Sequence, residues 1–100
     1  MLPVVANSPD EIARAVAERA RERRLERDLT QQGLADRAGL SLASLKRFER
    51  TGQIAFESLV RIAVVLQATD ALNRLFEAPE FRSLDEAIAR TKRRSRGRKT

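Results

Sequence analysis

Two cations on a short helical segment carry the most distinctive chemistry of this chain. Residues 41–50 read SLASLKRFER, and helical spacing turns Leu45 and Phe48 inward while Lys46 and Arg47 point outward. Both cationic side chains donate hydrogen bonds and can pair with the O6 and N7 acceptors of guanine in the major groove. Such a pair on an isolated helix is usually only solvated, so its interpretation depends on the elements around it.

The composition excludes most catalytic chemistry. The chain has 100 residues and contains neither Cys nor His, which excludes disulfides, zinc sites built on thiolate or imidazole, and nucleophile–imidazole catalysis. This length suits one small domain with a modest core and no deep active site. We therefore expect a protein that is not an enzyme and needs neither a metal nor a cofactor.

The location of charge indicates a polyanionic partner. The net charge is +6, and residues 90–100 hold seven of the 20 Lys and Arg residues and no acid, so the body is close to neutral. A cationic tail favours nucleic acid before membrane. It could add affinity that is blind to sequence, or it could be a solvated end or a segment that folds only on a protein partner.

The sequence also predicts where the protein resides. No apolar run approaches the roughly 20 residues that a membrane span needs. The opening MLPVVANSPDE lacks the basic start and long apolar core of a signal peptide. We therefore expect a cytoplasmic protein with no membrane partner.

Capping and turn signals predict two short helices around the Lys-Arg pair. Thr30 is a good N-cap for a helix over 31–38, and Gly39 supplies the left-handed residue that commonly ends one. Ser41 can cap a second helix that runs to about Arg50. Because only three residues join these helices, they must cross at a steep angle, as in helix-turn-helix modules.

Four further helices complete an all-α fold. A capping box at Ser8-Pro9-Asp10-Glu11 opens the first, which is expected to reach about Asp28, and a second box at Ser83-Leu84-Asp85-Glu86 opens the last. Between them, periodicity predicts helices over 56–67 and 71–77. The side chains expected in the core of the first and fourth helices are Ile12, Ala13, Val16, Ala17, Ala20, Leu25 and Leu29, and Phe56, Leu59, Ile62, Ala63 and Leu66.

Two surfaces of these helices have alternative interpretations. Arg23, Arg24 and Arg27 fit a solvated face with weak ion pairs, although one or two of them could reach a phosphate. Val60 and Val64 lie nearly opposite the apolar face of their helix. Either that helix is sandwiched within one core, or its second face forms a dimer contact.

The residues of the two short helices resemble the phage-repressor-like (Xre or lambda-repressor-like) family. The resemblance is carried by Gln31, Leu34-Ala35, Gly39-Leu40-Ser41, Leu45, Phe48-Glu49-Arg50 and Gly52. It implies a compact lambda-repressor-like domain of five to six helices, with the helix-turn-helix in helices 2 and 3, that binds double-stranded operator DNA. The positions it implies for base reading are Ser41, Leu42, Ala43, Lys46 and Arg47, and it implies Gln31 for phosphate. Thr30, Ser44 and Arg50 are the other phosphate candidates.

One feature of the reading helix departs from the family pattern. Leu42 and Ala43 stand where some repressors have glutamines, and they offer only apolar contact, for which thymine methyl groups are the natural partner. Base preferences known for such repressors therefore do not transfer to this chain.

The lead-in narrows the resemblance to HipB-like antitoxins. Ser8-Pro9, Ile12-Ala13 and Val16 precede Thr30-Gln31 as in those proteins, although the lead-in here is longer by about one helical turn. The resemblance covers about residues 8–67. It implies a homodimeric repressor of its own operon that binds a HipA-like kinase toxin. Interface candidates, whose alternative role is the intrachain core, are Val64, Leu72, Leu75, Phe76 and Phe81.

These observations predict a domain organisation and leave three functional hypotheses. The expected parts are a lead-in over 1–7, a DNA-binding domain over 8–77, a helical extension over 78–91 and a disordered basic tail over 92–100. The first hypothesis is an autoregulating antitoxin that binds a palindromic operator. The alternatives are a stand-alone Xre-type regulator and a module that mainly neutralises a toxin through its last helix and tail.

Overall fold

The computed structural model describes residues 7–79, 85 and 88–92, and these residues form helices and connecting turns without a strand. The helices are α1 (Pro9–Glu26), α2 (Gln31–Ala38), α3 (Leu42–Thr51), α4 (Phe56–Val65) and α5 (Asp70–Asn73). Residues 88–92 are also helical. The prediction of an all-α fold is confirmed. Within this part of the chain, no helix is both long and apolar enough to cross a membrane.

Three hydroxyl side chains cap the first three helices as the sequence predicts. Ser8 Oγ accepts from the Glu11 N–H at 3.1 Å, Thr30 Oγ1 from the Gly33 N–H at 2.9 Å, and Ser41 Oγ from the Ser44 N–H at 3.1 Å. Each bond satisfies a donor that the first helical turn leaves unpaired. Gly39 (φ 70°) and Gly52 (φ 81°) end α2 and α3 in the left-handed conformation.

The core lies directly beneath the helix-turn-helix. Its largest fully buried side chains come from α2, α3, α4 and the C-cap residue of α4, and they are Leu34, Leu45, Phe48, Ile62 and Leu66. α1 packs against α3, and α2 packs against both α3 and α4. The apolar faces of α2 and α3 therefore hold these helices to the rest of the domain and leave their opposite faces to solvent.

The end of α1 differs from the prediction. The helix ends at Glu26, and Asp28 adopts a left-handed φ of 55°. Leu25 is 48% exposed and was wrongly expected in the core. The reason is that Arg24 takes the inward position at this level of α1, and the next residue lies about 100° around the helix.

Ile12, also expected in the core, is exposed at the other end of α1. There the close contact with α3 is made by Ala13, whose backbone lies against Gly52. The neighbouring position on the helix consequently faces solvent.

The region after α3 contains three further corrections. Phe56 is exposed although its periodicity placed it inside, because it begins α4 beside the 52–55 loop. α4 ends at Val65, and a left-handed Gln67 (φ 54°) follows. α5 is a single turn rather than a helix to residue 77, and Thr69 stands at its N-cap position without forming a side-chain cap bond.

The predictions for the last segment fall mostly outside the described residues. Of the second capping box only Asp85 is described, and it is helical. Lys92, which the sequence placed at the start of the tail, is helical and is the last residue that the structure describes. Arg90 Nη1 donates to the Pro79 carbonyl oxygen at 2.9 Å, which ties this segment to the chain after α5.

Candidate nucleic-acid interface

α3 offers the outer surface that the sequence predicts. Leu45 and Phe48 are buried, while Ala43, Lys46 and Arg47 are exposed. Leu42 is half-buried, and Ser41, Ser44 and Arg50 are exposed. Ser41 and Leu42 therefore lie at the N-terminal end of α3, and Ala43, Lys46 and Arg47 lie on its exposed surface. The opposite face of the helix packs into the core.

The cations of α3 form no ion pair with the acidic residues of the described part of the chain. Ion pairs within the described part of the chain join Arg14 to Asp10, Arg21 to Glu18, Arg24 to Glu49 and Arg61 to Glu57. None of these pairs involves Lys46, Arg47 or Arg50. The charge on this surface is thus available to phosphates or to acceptors on base edges.

The two serines at the start of α3 differ in their remaining capacity to donate hydrogen bonds. The Ser41 hydroxyl accepts from the Ser44 N–H and donates to Ser44 Oγ at 2.8 Å, so its single hydrogen is already used. The Ser44 hydroxyl accepts this bond and keeps its own hydrogen for an outside acceptor. Ser44 therefore fits a phosphate oxygen better than Ser41, whose first task is the helix cap.

The start of α2 places polar groups beside α3. Thr30 Oγ1 is engaged by the Gly33 N–H, and the dipole of α2 makes this end favourable for an anion. Gln31 Nε2 donates to Glu49 Oε1 at 3.1 Å. Because an amide nitrogen carries two hydrogens, the second remains for a phosphate, and Glu49 fixes the orientation of the group.

A buried charge network behind this surface was missed by sequence reasoning. Arg24 is only 6% exposed, and both alternatives for it, a solvated face and a phosphate contact, are wrong. Its Nε and Nη2 donate to the two carboxylate oxygens of Glu49 at 2.8 and 3.0 Å, and Nη1 donates to the Leu29 carbonyl oxygen at 2.8 Å. The available signal was spacing, since Arg24 continues the apolar stripe of Ala13, Ala17 and Ala20.

The other two arginines at the end of α1 remain at the surface. Arg27 Nη2 donates to Gln67 Oε1 at 2.8 Å, which ties the end of α1 to the end of α4. Arg23 is exposed and borders an apolar groove of about 350 Å³ that lies among α1, α4 and α5. A phosphate contact by Arg23 or Arg27 stays a prediction.

A loop residue that the sequence did not single out lies next to Arg47. Gln53, in the loop after α3, accepts a hydrogen bond from Arg47 Nη2 through its Oε1 atom. The two side chains border an open pocket of about 370 Å³ whose other lining residues are Ser44, Ile54, Ala55 and Ser58. A loop glutamine has no sequence signal of its own, because its role depends on where the loop returns.

The predicted interface residues divide between surface and core. Val64 is 59% exposed, Leu75 is 49% exposed and Phe76 is 96% exposed. Leu72 is half-buried and lines the apolar groove among α1, α4 and α5. Phe81 lies outside the described residues.

Comparison with known proteins assigns the family. A family model for helix-turn-helix proteins of the Xre/lambda-repressor-like type matches residues 21–71, which span α2, α3, α4 and parts of α1 and α5. The chain therefore belongs to this helix-turn-helix family, whose domain is a DNA-binding module of transcription regulators. No curated protein matches the chain significantly.

Proposed function

We propose that this protein is a sequence-specific transcriptional repressor that binds a palindromic operator as a homodimer. The observation that carries the proposal is the outer surface of α3, where Lys46 and Arg47 face solvent and form no ion pair with any acidic residue that the structure describes. The start of α2, with Gln31 held by Glu49, lies at the side of this surface. A helix exposed in this way fits the major groove, and the adjoining helix end fits the DNA backbone.

The roles of the individual residues follow from their chemistry. Lys46 and Arg47 donate to guanine O6 and N7, and Ala43, with the exposed part of Leu42, contacts thymine methyl groups. The groups proposed to bind phosphates, which set the register of the helix without reading sequence, are Thr30, Gln31, Ser44 and Arg50. Ser41 caps the start of α3 and remains a candidate for base contact at that end of the helix.

Dimerisation is proposed because one short helix makes too few contacts for a specific site. Two copies of the protein, bound to half-sites about one turn of the DNA double helix apart, would double the number of contacts. Val64, Leu75 and Phe76 support this part of the proposal, since they expose apolar surface on and after α4. Leu72 contributes mainly to packing within the chain, since it is half-buried in the groove among α1, α4 and α5.

Replacing Arg47 with alanine tests the reading role. We expect binding to the DNA upstream of the protein's own gene to weaken by about 10- to 100-fold, because a good bidentate contact contributes about 1–3 kcal/mol of discrimination. Binding to a random duplex should change much less. Mobility-shift titrations with both duplexes at several salt concentrations measure the difference.

Arg50→Ala is the matched control for the Arg47 experiment. If Arg50 binds a phosphate, its loss should weaken binding to both duplexes equally and lower the slope of log K against log salt by about 1. A wild-type protein that binds its own upstream DNA no better than a random duplex at moderate salt would refute the proposed function.

A second candidate function is that of an antitoxin that neutralises a HipA-like kinase. It is supported by the resemblance of residues 8–67 to HipB-like proteins, and the segment after Ala78 is the proposed docking element. We expect the full chain to co-purify with such a kinase if the adjacent gene encodes one. A chain truncated after Ala78 should lose this binding, and binding that survives truncation would exclude the last segment as the docking element.

A further inference from the structure

Arg47 is not a free side chain on the surface of α3. Its Nη2 atom donates to the Oε1 atom of Gln53, although both residues are exposed. The acceptor lies six positions further along the chain, outside α3 and beyond its glycine cap. The guanidinium orientation is therefore set by the loop that follows the helix rather than by the helix alone.

The structure fixes this loop at two points. Thr51 Oγ1 donates to the Arg47 carbonyl oxygen at 2.7 Å and accepts from the Gln53 N–H at 3.1 Å, so the loop folds back on the turn that carries Arg47. Gly52 packs so closely on α1 that a Cβ atom there would lie 2.7 Å from the Ala13 carbonyl carbon. The Gln53 backbone is thus held by both α3 and α1.

We propose that Gln53 is a positioning residue that holds the Arg47 guanidinium ready to pair with a base. This inference rests on the proposed DNA-reading function and adds a determinant of specificity outside α3. An arginine side chain loses rotational freedom when it binds, and a bond that orders it beforehand removes part of that cost. The guanidinium has five N–H groups, so one bond to Gln53 leaves enough donors for both guanine acceptors.

Gln53→Met removes the acceptor oxygen and keeps an unbranched side chain of similar length. We expect affinity for the duplex that the wild-type protein selects from a random-sequence pool to fall about 3- to 10-fold. The preference at the base pair read by Arg47 should relax, while affinity for a random duplex and the thermal midpoint of the free protein should not change. Fluorescence-anisotropy titrations with single-base variants of the selected duplex measure the preference.

Gln67→Met is the matched control, because Gln67 Oε1 also accepts from an exposed arginine, Arg27, but at the far end of α4. This variant should leave base preference unchanged, because even a phosphate contact by Arg27 would not read sequence. Equal effects of the two substitutions would overturn the proposal, because they would show a general consequence of losing a surface bond.

A double-mutant cycle with Arg47→Ala separates positioning from direct contact. If Gln53 acts through Arg47, Gln53→Met should cause no further loss in the Arg47→Ala protein. Additive losses would overturn the inference by showing that Gln53 contacts DNA itself. A wild-type protein that selects no sequence would refute the proposed function, whereas a wild-type protein that selects one and a Gln53→Met variant with the same preference would refute only the positioning role.

Discussion

Replacing Glu49 with alanine is expected to lower the free energy of unfolding by about 3–5 kcal/mol. The substitution removes the carboxylate that pairs with the Arg24 guanidinium and leaves it the Leu29 carbonyl oxygen as an acceptor. Both side chains of the pair are almost fully buried, and a buried charge without an ionic partner is strongly destabilising. A small domain has a total stability of about 5–15 kcal/mol, so much of it would be lost. Urea unfolding followed by circular dichroism at 222 nm measures the change.

Two control proteins separate the net contribution of the Arg24–Glu49 ion pair to stability from the cost of leaving one buried charge unpaired. The double substitution Arg24→Met with Glu49→Leu should recover most of the lost stability, because apolar side chains of similar volume often replace a buried ion pair without loss. Glu57→Ala breaks the exposed pair with Arg61 at the same 2.8 Å separation and should cost about 0.5 kcal/mol or less. A Glu49→Ala loss as small as that of Glu57→Ala would contradict the prediction.

The same double substitution isolates the effect of Glu49 on DNA binding. The folded double variant has no carboxylate to offer Gln31 as an acceptor, so the amide that Glu49 orients in the wild-type protein becomes free to rotate. If Gln31 binds a phosphate, affinity for every duplex should fall by a similar factor, without a change in base preference. An unchanged affinity would mean that the network serves folding alone.

The parts of the fold that the sequence predicts well are those set by local chemistry. Thr30, Ser41 and Gly39 act through bonds and backbone angles within a few residues, and all three mark helix boundaries as expected. The inward faces of α2 and α3 follow from the spacing of their apolar side chains, so the outward face of α3 follows as well. The sequence therefore predicts the face proposed to read DNA, although it does not predict the contacts that surround this face.

The parts that the sequence did not predict depend on contacts between distant segments. Arg24 occupies an apolar stripe, and only its partner Glu49, 25 residues further along, makes that position favourable. The role of Gln53 was likewise not predictable, because it depends on the packing of a loop against α1. Gln67 adopts a left-handed backbone angle that its residue type does not signal, so the predicted end of α4 lies too late.

Gly52→Ala is expected to lower the free energy of unfolding by about 2–5 kcal/mol, for two reasons that add. A left-handed conformation costs a residue with a Cβ atom about 1–2 kcal/mol. The new Cβ would also lie 2.7 Å from the carbonyl carbon, 2.8 Å from the oxygen and 2.9 Å from the Cβ of Ala13. Because two of these atoms belong to the backbone, α1 itself must move, and such overpacking costs about 1–3 kcal/mol more.

Gly39→Ala separates these two contributions. Gly39 has a similar left-handed φ of 70°, but a Cβ there would meet only the Arg61 guanidinium at 3.4 Å, and that flexible side chain can move away. The loss should therefore be about 1–2 kcal/mol, from the backbone angle alone. Paired thermal and urea unfolding of the two variants measures the difference. Equal losses would show that α1 is not fixed against Gly52, and the support that this contact gives to the loop carrying Gln53 would then be absent.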